Sequence, residues 1–199
     1  MQAIILAAGM GKRLGELTER NTKCMVKVDG ITLIERMLRI LDKKKLSRII
    51  LVVGYQYENL TKFVDSLNIA TPIEYIINEV YYKTNNIFSL SLAKERMMQE
   101  DTLLLESDLI FEERLIDLLI DDKRDSLALV DKFESWMDGT CIVVDQEDNI
   151  TDFIQGKSLQ FYEKERYYKT VNIYKFGADF SKNVYVPFLE AYAKVMGNN

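Results

Sequence analysis

Apolar positions follow two rhythms along this chain. Four short segments are apolar almost without interruption: "AIILAA" (3–8), "RIILVVG" (48–54), "PIEYIIN" (72–78) and "DTLLLESD" (101–108). Runs of that length, rich in Ile, Val and Leu, predict buried strands. Between them, apolar residues recur at helical spacing. In "TLIERMLRILDKKK" (32–45), Leu33, Ile34, Met37, Leu38, Ile40 and Leu41 form one stripe, which predicts a helix. Further helices are predicted over 58–67, 86–98 and 111–122. Strands without a polar face need cover on both sides. The alternation therefore predicts an α/β fold, a Rossmann-like three-layer α/β/α arrangement around a mostly parallel mixed sheet.

After residue 125 the rhythm changes. "SLALVDK", "GTCIVVDQ", "ITDFIQG" and "YYKTVNIYKFG" are short strands joined by turns such as Glu147-Asp148-Asn149. They predict a small antiparallel β extension of the same single domain, 1–199. "YVPFLEAYAKVMG" (185–197) predicts a closing helix with Gly197 as its C-cap. An ending just past a helix, with no closing strand, suits a domain truncated at its C-terminus or cut from a longer, bifunctional protein. The intact mass of the natural product, set against 23.2 kDa, tests that expectation.

Composition narrows the chemistry. The chain has no histidine, which excludes Ser-His, Cys-His and His-ligated metal mechanisms within it. Its net charge is −5, and its longest basic run is Lys43-Lys44-Lys45, so nucleic acid is not an expected partner. No apolar segment approaches the roughly 20 residues of a membrane span. Cys24 and Cys141 stand far apart in no metal-ligand spacing, and a chain without a disulfide framework is expected in the reducing cytoplasm.

In open α/β sheets ligands gather at the carboxyl ends of the strands. The loop after the first strand, "AAGMGKR", is thus the first candidate site. It is not a dinucleotide fingerprint, because Leu14 stands where the third glycine is needed and Gly15 comes one residue late. It is not a P-loop, because Arg13 follows Gly11-Lys12 where Lys-Ser/Thr is required, and Leu6 lies five residues before Gly11. What remains is still specific. Ala7, Ala8 and Gly9 let a ligand approach the backbone. Gly9 and Gly11 permit the positive φ angles that turn successive N–H groups toward an anion. Arg13 adds a fork of donors matched to phosphate, and Lys23 adds a point charge. A bare Gly-x-Gly is equally an ordinary turn; the flanking residues favour a phosphate site. Asp108, just past the fourth strand, lies where that ligand belongs, and Glu106 projects from the same side. Both acids also suit a cap for the next helix.

These residues carry a family resemblance. "LAAGMGKRL", Lys23 and "VDGITLIERML" resemble the sugar-phosphate nucleotidyltransferase-like family, whose pattern is L-A-A-G-x-G-x-R, a Pro-Lys pair and G-x-x-L-I. Thr22-Lys23 stands where the family has Pro-Lys. That leaves Lys23 and Lys27 as alternatives for the working lysine, with position favouring Lys23. "VVGYQYENL", "YYKTNNIFSLSLAKE", "LLLESDLIF" and "YKTVNIYKF" resemble the branch of CTP:phosphocholine and 2-aminoethylphosphonate cytidylyltransferases.

The resemblance implies an acceptor oxygen, already anionic, attacking the α-phosphate of CTP as pyrophosphate leaves. No general base is needed, so the lack of histidine costs nothing. It implies Arg13 and Lys23 as catalytic cations on the triphosphate and Mg²⁺ on Asp108. Nucleotide-binding residues would be Leu6, Ala7, Ala8, Gly9, Met10, Gly11, Tyr55, Asn85, Asn86 and Ser89. The Asn-Asn pair is also an ordinary helix cap, and Tyr55 equally a core residue. For the acceptor, Trp136 offers a ring face to a quaternary ammonium. Asp138 and Glu134 offer negative charge, and Tyr168 and Asn172 further contacts. Trp136 is equally apolar filler. Many relatives place a second metal carboxylate in a late Ile-Asp pair; none follows residue 176, and the context of Asp179 does not match. Members of this branch are sometimes fused to a second enzyme domain. The competing readings are a sugar-1-phosphate nucleotidyltransferase using UTP, GTP or dTTP, and a non-catalytic nucleotide-binding module.

Overall fold

The structure is a computed structural model and describes residues 1–11, 15 and 21–197. The chain forms two compact units, one of Met1–Leu127 with Tyr174–Asn199 and one of Ala128–Ile173.

In chain order the first unit begins with β1 (Gln2–Ala7), buried at every residue. A short hairpin follows, β2 (Lys27–Val28) and β3 (Ile31–Thr32). Helix α1 (Leu33–Asp42) leads to β4 (Ile49–Val53), α2 (Tyr57–Ser66) and β5 (Ile73–Ile77). The chain continues through α3 (Asn86–Leu92), α4 (Lys94–Met97), β6 (Thr102–Glu106) and α5 (Glu113–Asp121). The strands lie in the order β5-β4-β1-β6, and each neighbouring pair is parallel. Ile4 pairs with Ile50 and Leu104, and Leu6 with Val52 and Glu106.

Successive strand residues face opposite sides, and both sides are buried. Ile4, Leu6, Ile50, Val52 and Leu104 cluster with Leu90, Ala93, Met97, Val186 and Leu189. Ala3, Ile5, Ile49, Leu51, Leu103 and Leu105 point the other way and are sealed from solvent. Helices α1, α2 and α5 bury Met37, Leu38, Leu60, Val64, Ile116 and Leu119. Each such side chain contributes about 1.5–3 kcal/mol through burial, so the strand ends stand on a rigid frame. The architecture is the expected mixed, mostly parallel α/β sheet with flanking helices.

Several local expectations are corrected. The helix expected over 86–98 breaks at Ala93 (φ −95, ψ 6). The bend keeps Leu90, Ala93 and Met97 together in the core cluster. Thr32, the first residue of the expected 32–45 helix, is instead the cap of α1, its Oγ1 accepting from the Glu35 N–H at 3.2 Å. That helix ends at Asp42, and Lys45 turns into the left-handed region. The β2–β3 hairpin was not anticipated; Asp29 and Gly30 both have positive φ, the two-residue turn an Asp-Gly pair favours.

The second unit is antiparallel. Strand β7 (Leu127–Lys132) enters it, followed by β8 (Cys141–Val144), β9 (Ile150–Ile154) and β10 (Tyr167–Phe176), whose last residues return to the first unit. Tyr167 pairs with Val143, and Cys141 with Ile154. The buried centre is small: Phe133, Cys141 and Tyr167. After β10 the chain is helical well before residue 185, through α6 (Ala178–Phe180), a π-helical turn over Ser181–Tyr185 and α7 (Val186–Gly197). Phe176 stacks on Tyr185 at 4.7 Å and on Phe180 at 6.0 Å, holding these turns together. Gly197, expected as a cap, is the last helical residue.

Candidate active site

The first unit stitches its strand ends together through the backbone. The Ser107 N–H donates to Leu6 O at 3.2 Å, Tyr55 N–H to Ala8 O at 3.1 Å and Asn78 N–H to Val53 O at 2.8 Å. Gly54 is forced by this closeness. A Cβ there would lie 2.7 Å from Tyr81 Cβ and 2.9 Å from Ala8 O. The side chains of Leu6, Ala7 and Ala8 are buried, so these residues can offer a ligand only their backbone. A Cβ at Gly9 would meet nothing within 4 Å, and Gly11 has φ 63. Among the described residues the space beside Gly9 is thus open, where the sequence predicts an anion. Met10 is half-buried.

Lys23 is held by its neighbours. Thr22 is buried with φ −71, the angle a proline ring imposes. The family's proline therefore has a conformational substitute here. Thr22 Oγ1 lies 3.0 Å from Cys24 Sγ. Cys24 is fully buried, and burial pushes its thiol up to about 11, so it stays a neutral thiol. The Ser107 side chain lies near that sulfur and opposes the rise. One buried thiol thus lies between the turn carrying Lys23 and the strand end carrying Asp108. The two charged residues meet, Lys23 Nζ forming an ion pair with Asp108 Oδ2. Lys27, the alternative lysine, is exposed on β2.

Glu106 completes the cluster. Asn86 Nδ2 donates to Glu106 Oε1 at 2.8 Å. Burial pushes Glu106 up to about 7, the charge of Asp108 adds to the rise, and the Asn86 hydrogen bond and Lys23 oppose it. Neither acid caps the next helix. Glu112 occupies the cap position of α5, which begins at Glu113 rather than 111. Two carboxylates, an amide and an ammonium therefore converge at the end of β6, beside the loop that follows β1.

The remaining candidates divide. Asn85 caps α3, its Oδ1 accepting from the Phe88 N–H at 3.1 Å. Ser89 is buried, its Oγ accepting from Asn78 Nδ2 at 3.0 Å. Asn78, which sequence reasoning missed, is itself buried and also donates to Thr84 Oγ1 at 3.0 Å. Tyr55 meets Tyr81 edge-on at 6.0 Å. Trp136, Asp138, Tyr168 and Asn172 belong to the second unit. Trp136 is 79% exposed, and Glu134, Asp138 and Asn172 are exposed. Lys132 Nζ sits 4.0 Å over the Tyr168 ring. Arg13 lies outside the described residues. Among the described residues no group of three acids or cysteines is disposed to hold a metal, and Asp179 is exposed on α6.

Residues 3–137 match the model of the MobA-like NTP transferase domain. The CMP-5'-(3-aminopropyl)phosphonate synthase of Streptomyces rubellomurinus is 28% identical over 191 residues, covering 96% of this chain and 30% of that protein. The choline-phosphate cytidylyltransferase of Streptococcus pneumoniae is 39% identical over 97 residues, covering 49% of this chain and 41% of that protein. The match thus spans less than half the length of both relatives. Among solved structures, the CTP:phosphocholine cytidylyltransferase from Streptococcus pneumoniae superposes with a TM-score of 0.72 and 25% identity, over 97% of this chain and 78% of that one.

Proposed function

The chain belongs to the MobA-like NTP transferase domain family, and from that premise we propose that it transfers a cytidylyl group from CTP to a small phosphorylated or phosphonate amine. One observation carries the reading: Lys23 and Asp108 meet at the end of β6, beside the glycine loop of β1. An anionic oxygen of the acceptor forms a bond to the α-phosphorus, the bond to the bridging oxygen breaks, and pyrophosphate leaves with the electron pair. No proton moves. The protein's contribution is alignment and charge neutralisation. Lys23 donates to phosphate oxygens, and the backbone from Gly9 to Gly11 takes the triphosphate. Arg13 is proposed as the second cation.

Mg²⁺ fits the donor set. It favours oxygen ligands and needs only one or two carboxylates beside water and phosphate; Asp108 would hold it. When bound, the ion neutralises charge on the phosphate oxygens. The names of the relatives support CTP as donor. Phosphocholine or 2-aminoethylphosphonate is the acceptor proposed, with Trp136 facing its ammonium and Asp138 adding negative charge.

The test is pyrophosphate release from CTP, UTP, GTP and dTTP, each with Mg²⁺ and one of phosphocholine, 2-aminoethylphosphonate, phosphoethanolamine or glucose-1-phosphate. Release with CTP and an amine-bearing acceptor is expected. Release only with a sugar phosphate would overturn the acceptor assignment. Nucleotide binding without release from any pair would favour a non-catalytic module.

A further inference from the structure

Lys23 and Asp108 are each other's counter-ions, although the reading above gives them different targets, a phosphate oxygen and a metal ion. We infer that this ion pair keeps bare divalent metal off Asp108, so that metal and nucleoside triphosphate enter the site together. The inference rests on the nucleotidyl-transfer reading and adds to it an order of binding.

The argument is one of charge and tethering. A bare divalent ion approaching Asp108 finds the carboxylate already neutralised and meets an ammonium of its own sign. That ammonium cannot retreat far. Its backbone lies in the turn Lys23–Met25, flanked by buried Thr22 and Cys24. Only the four-carbon stem is free to swing. Glu106 is no ready substitute, because the Asn86 amide already engages its Oε1. A metal-free triphosphate has the converse difficulty, since its oxygens must win Lys23 from Asp108. The metal–triphosphate complex solves both at once. Its cation replaces Lys23 at the carboxylate, and its oxygens replace Asp108 at the ammonium. One ion pair is exchanged for two, with no charge left alone. Both side chains are partly exposed, 40% for Lys23 and 28% for Asp108, so the exchange opens no buried core.

The experiment reads Mn²⁺ directly, by the paramagnetic resonance of the free ion, on the whole 199-residue chain without nucleotide. Lys23→Met and Lys23→Gln are each expected to bind Mn²⁺ about tenfold more tightly than wild type, the size of effect a lost neighbouring charge has at a partly exposed site. Adding Asp108→Asn to Lys23→Met is expected to reverse the gain. Circular dichroism checks that each variant is folded. Lysine variants that bind Mn²⁺ no more tightly than wild type would overturn the inference. If Asp108→Asn at the same time abolishes Mg²⁺-dependent retention of labelled CTP by the protein in equilibrium dialysis, the nucleotidyl-transfer reading stands without it. If Asp108→Asn leaves that retention unchanged, Asp108 is not the metal ligand and both fall.

Discussion

The two units of this chain solve the problem of holding functional side chains in opposite ways. In the first, β1 and β4 are buried at every residue. The candidate residues at the strand ends are tied to neighbours, Lys23 to Asp108, Asn86 to Glu106, Ser89 to Asn78. In the second, β9 is exposed from Ile150 to Phe153, and the hydrophobic cluster among the described residues centres on Phe133, Cys141 and Tyr167. Its candidate residues stand mostly in the open, Trp136 above all. Nucleotide chemistry needs fixed charges and fixed backbone donors, which a buried frame supplies. On the proposed reading, choice among acceptors falls to side chains that can be exchanged at little cost to stability, as in a lightly packed unit.

The sharpest way to break this comparison is to remove one carboxylate from each unit. Asp108→Asn is expected to lower turnover by about 10²–10³-fold, the scale for losing a group that stabilises transition-state charge. Stability should change by no more than about 1 kcal/mol, because the ion pair is partly exposed. Asp138→Asn should act on the acceptor KM alone. Equal losses of turnover in steady-state assays would mean that the fixed charges are not confined to the first unit.

Stability gives the next contrast. Gly54→Ala places a methyl group against Tyr81 Cβ and Ala8 O and is expected to cost about 1–3 kcal/mol by overpacking, read by urea denaturation. Trp136→Ala should change stability by no more than about 0.5 kcal/mol. Its effect belongs in binding, where losing a ring face beneath an ammonium should raise the acceptor KM about twofold to thirtyfold. The KM for CTP should stay put. A shift in the CTP KM would place Trp136 on the nucleotide instead.

The smallest effect expected is electrostatic and concerns a group outside the proposed site. Glu113 accepts from Lys43 and Lys44 at 2.9 and 2.8 Å, which lowers its carboxyl from 4.5 to about 2. A depressed folded-state value means that the unfolded chain binds more protons between those limits. The stabilisation is therefore present above pH 4.5 and is lost as pH falls toward 2. The stability difference between wild type and Glu113→Gln should shrink across that window. A difference that stays constant would remove the ion pairs as its cause.

Legibility followed the same division. Continuous apolar runs announced the parallel strands, and the turn after the first strand announced the loop, because buried β structure and small-residue turns leave local signals. The pairing of Lys23 with Asp108 joins residues distant in sequence, and composition at either end could only suggest it. Cys24 was unreadable as anything but a lone cysteine. Its place between Thr22 and Ser107 exists only in the folded chain. The break at Ala93 and the π-helical turn before α7 were also hidden, since both follow from tertiary packing rather than local propensity. The β2–β3 hairpin was legible and overlooked: Asp29-Gly30 between Val28 and Ile31 is its signature.

The central claim is that the α-phosphate of CTP passes to an acceptor at the site where Lys23 meets Asp108. The most direct test follows two labels in one reaction, with CTP carrying one isotope at the α-phosphate and another at the γ-phosphate, in the presence of Mg²⁺ and an amine-bearing phosphorylated or phosphonate acceptor. The account predicts the α label in the acceptor product and the γ label in pyrophosphate. Transfer of the γ label to the acceptor, or retention of both labels in CTP with every such acceptor, would contradict it.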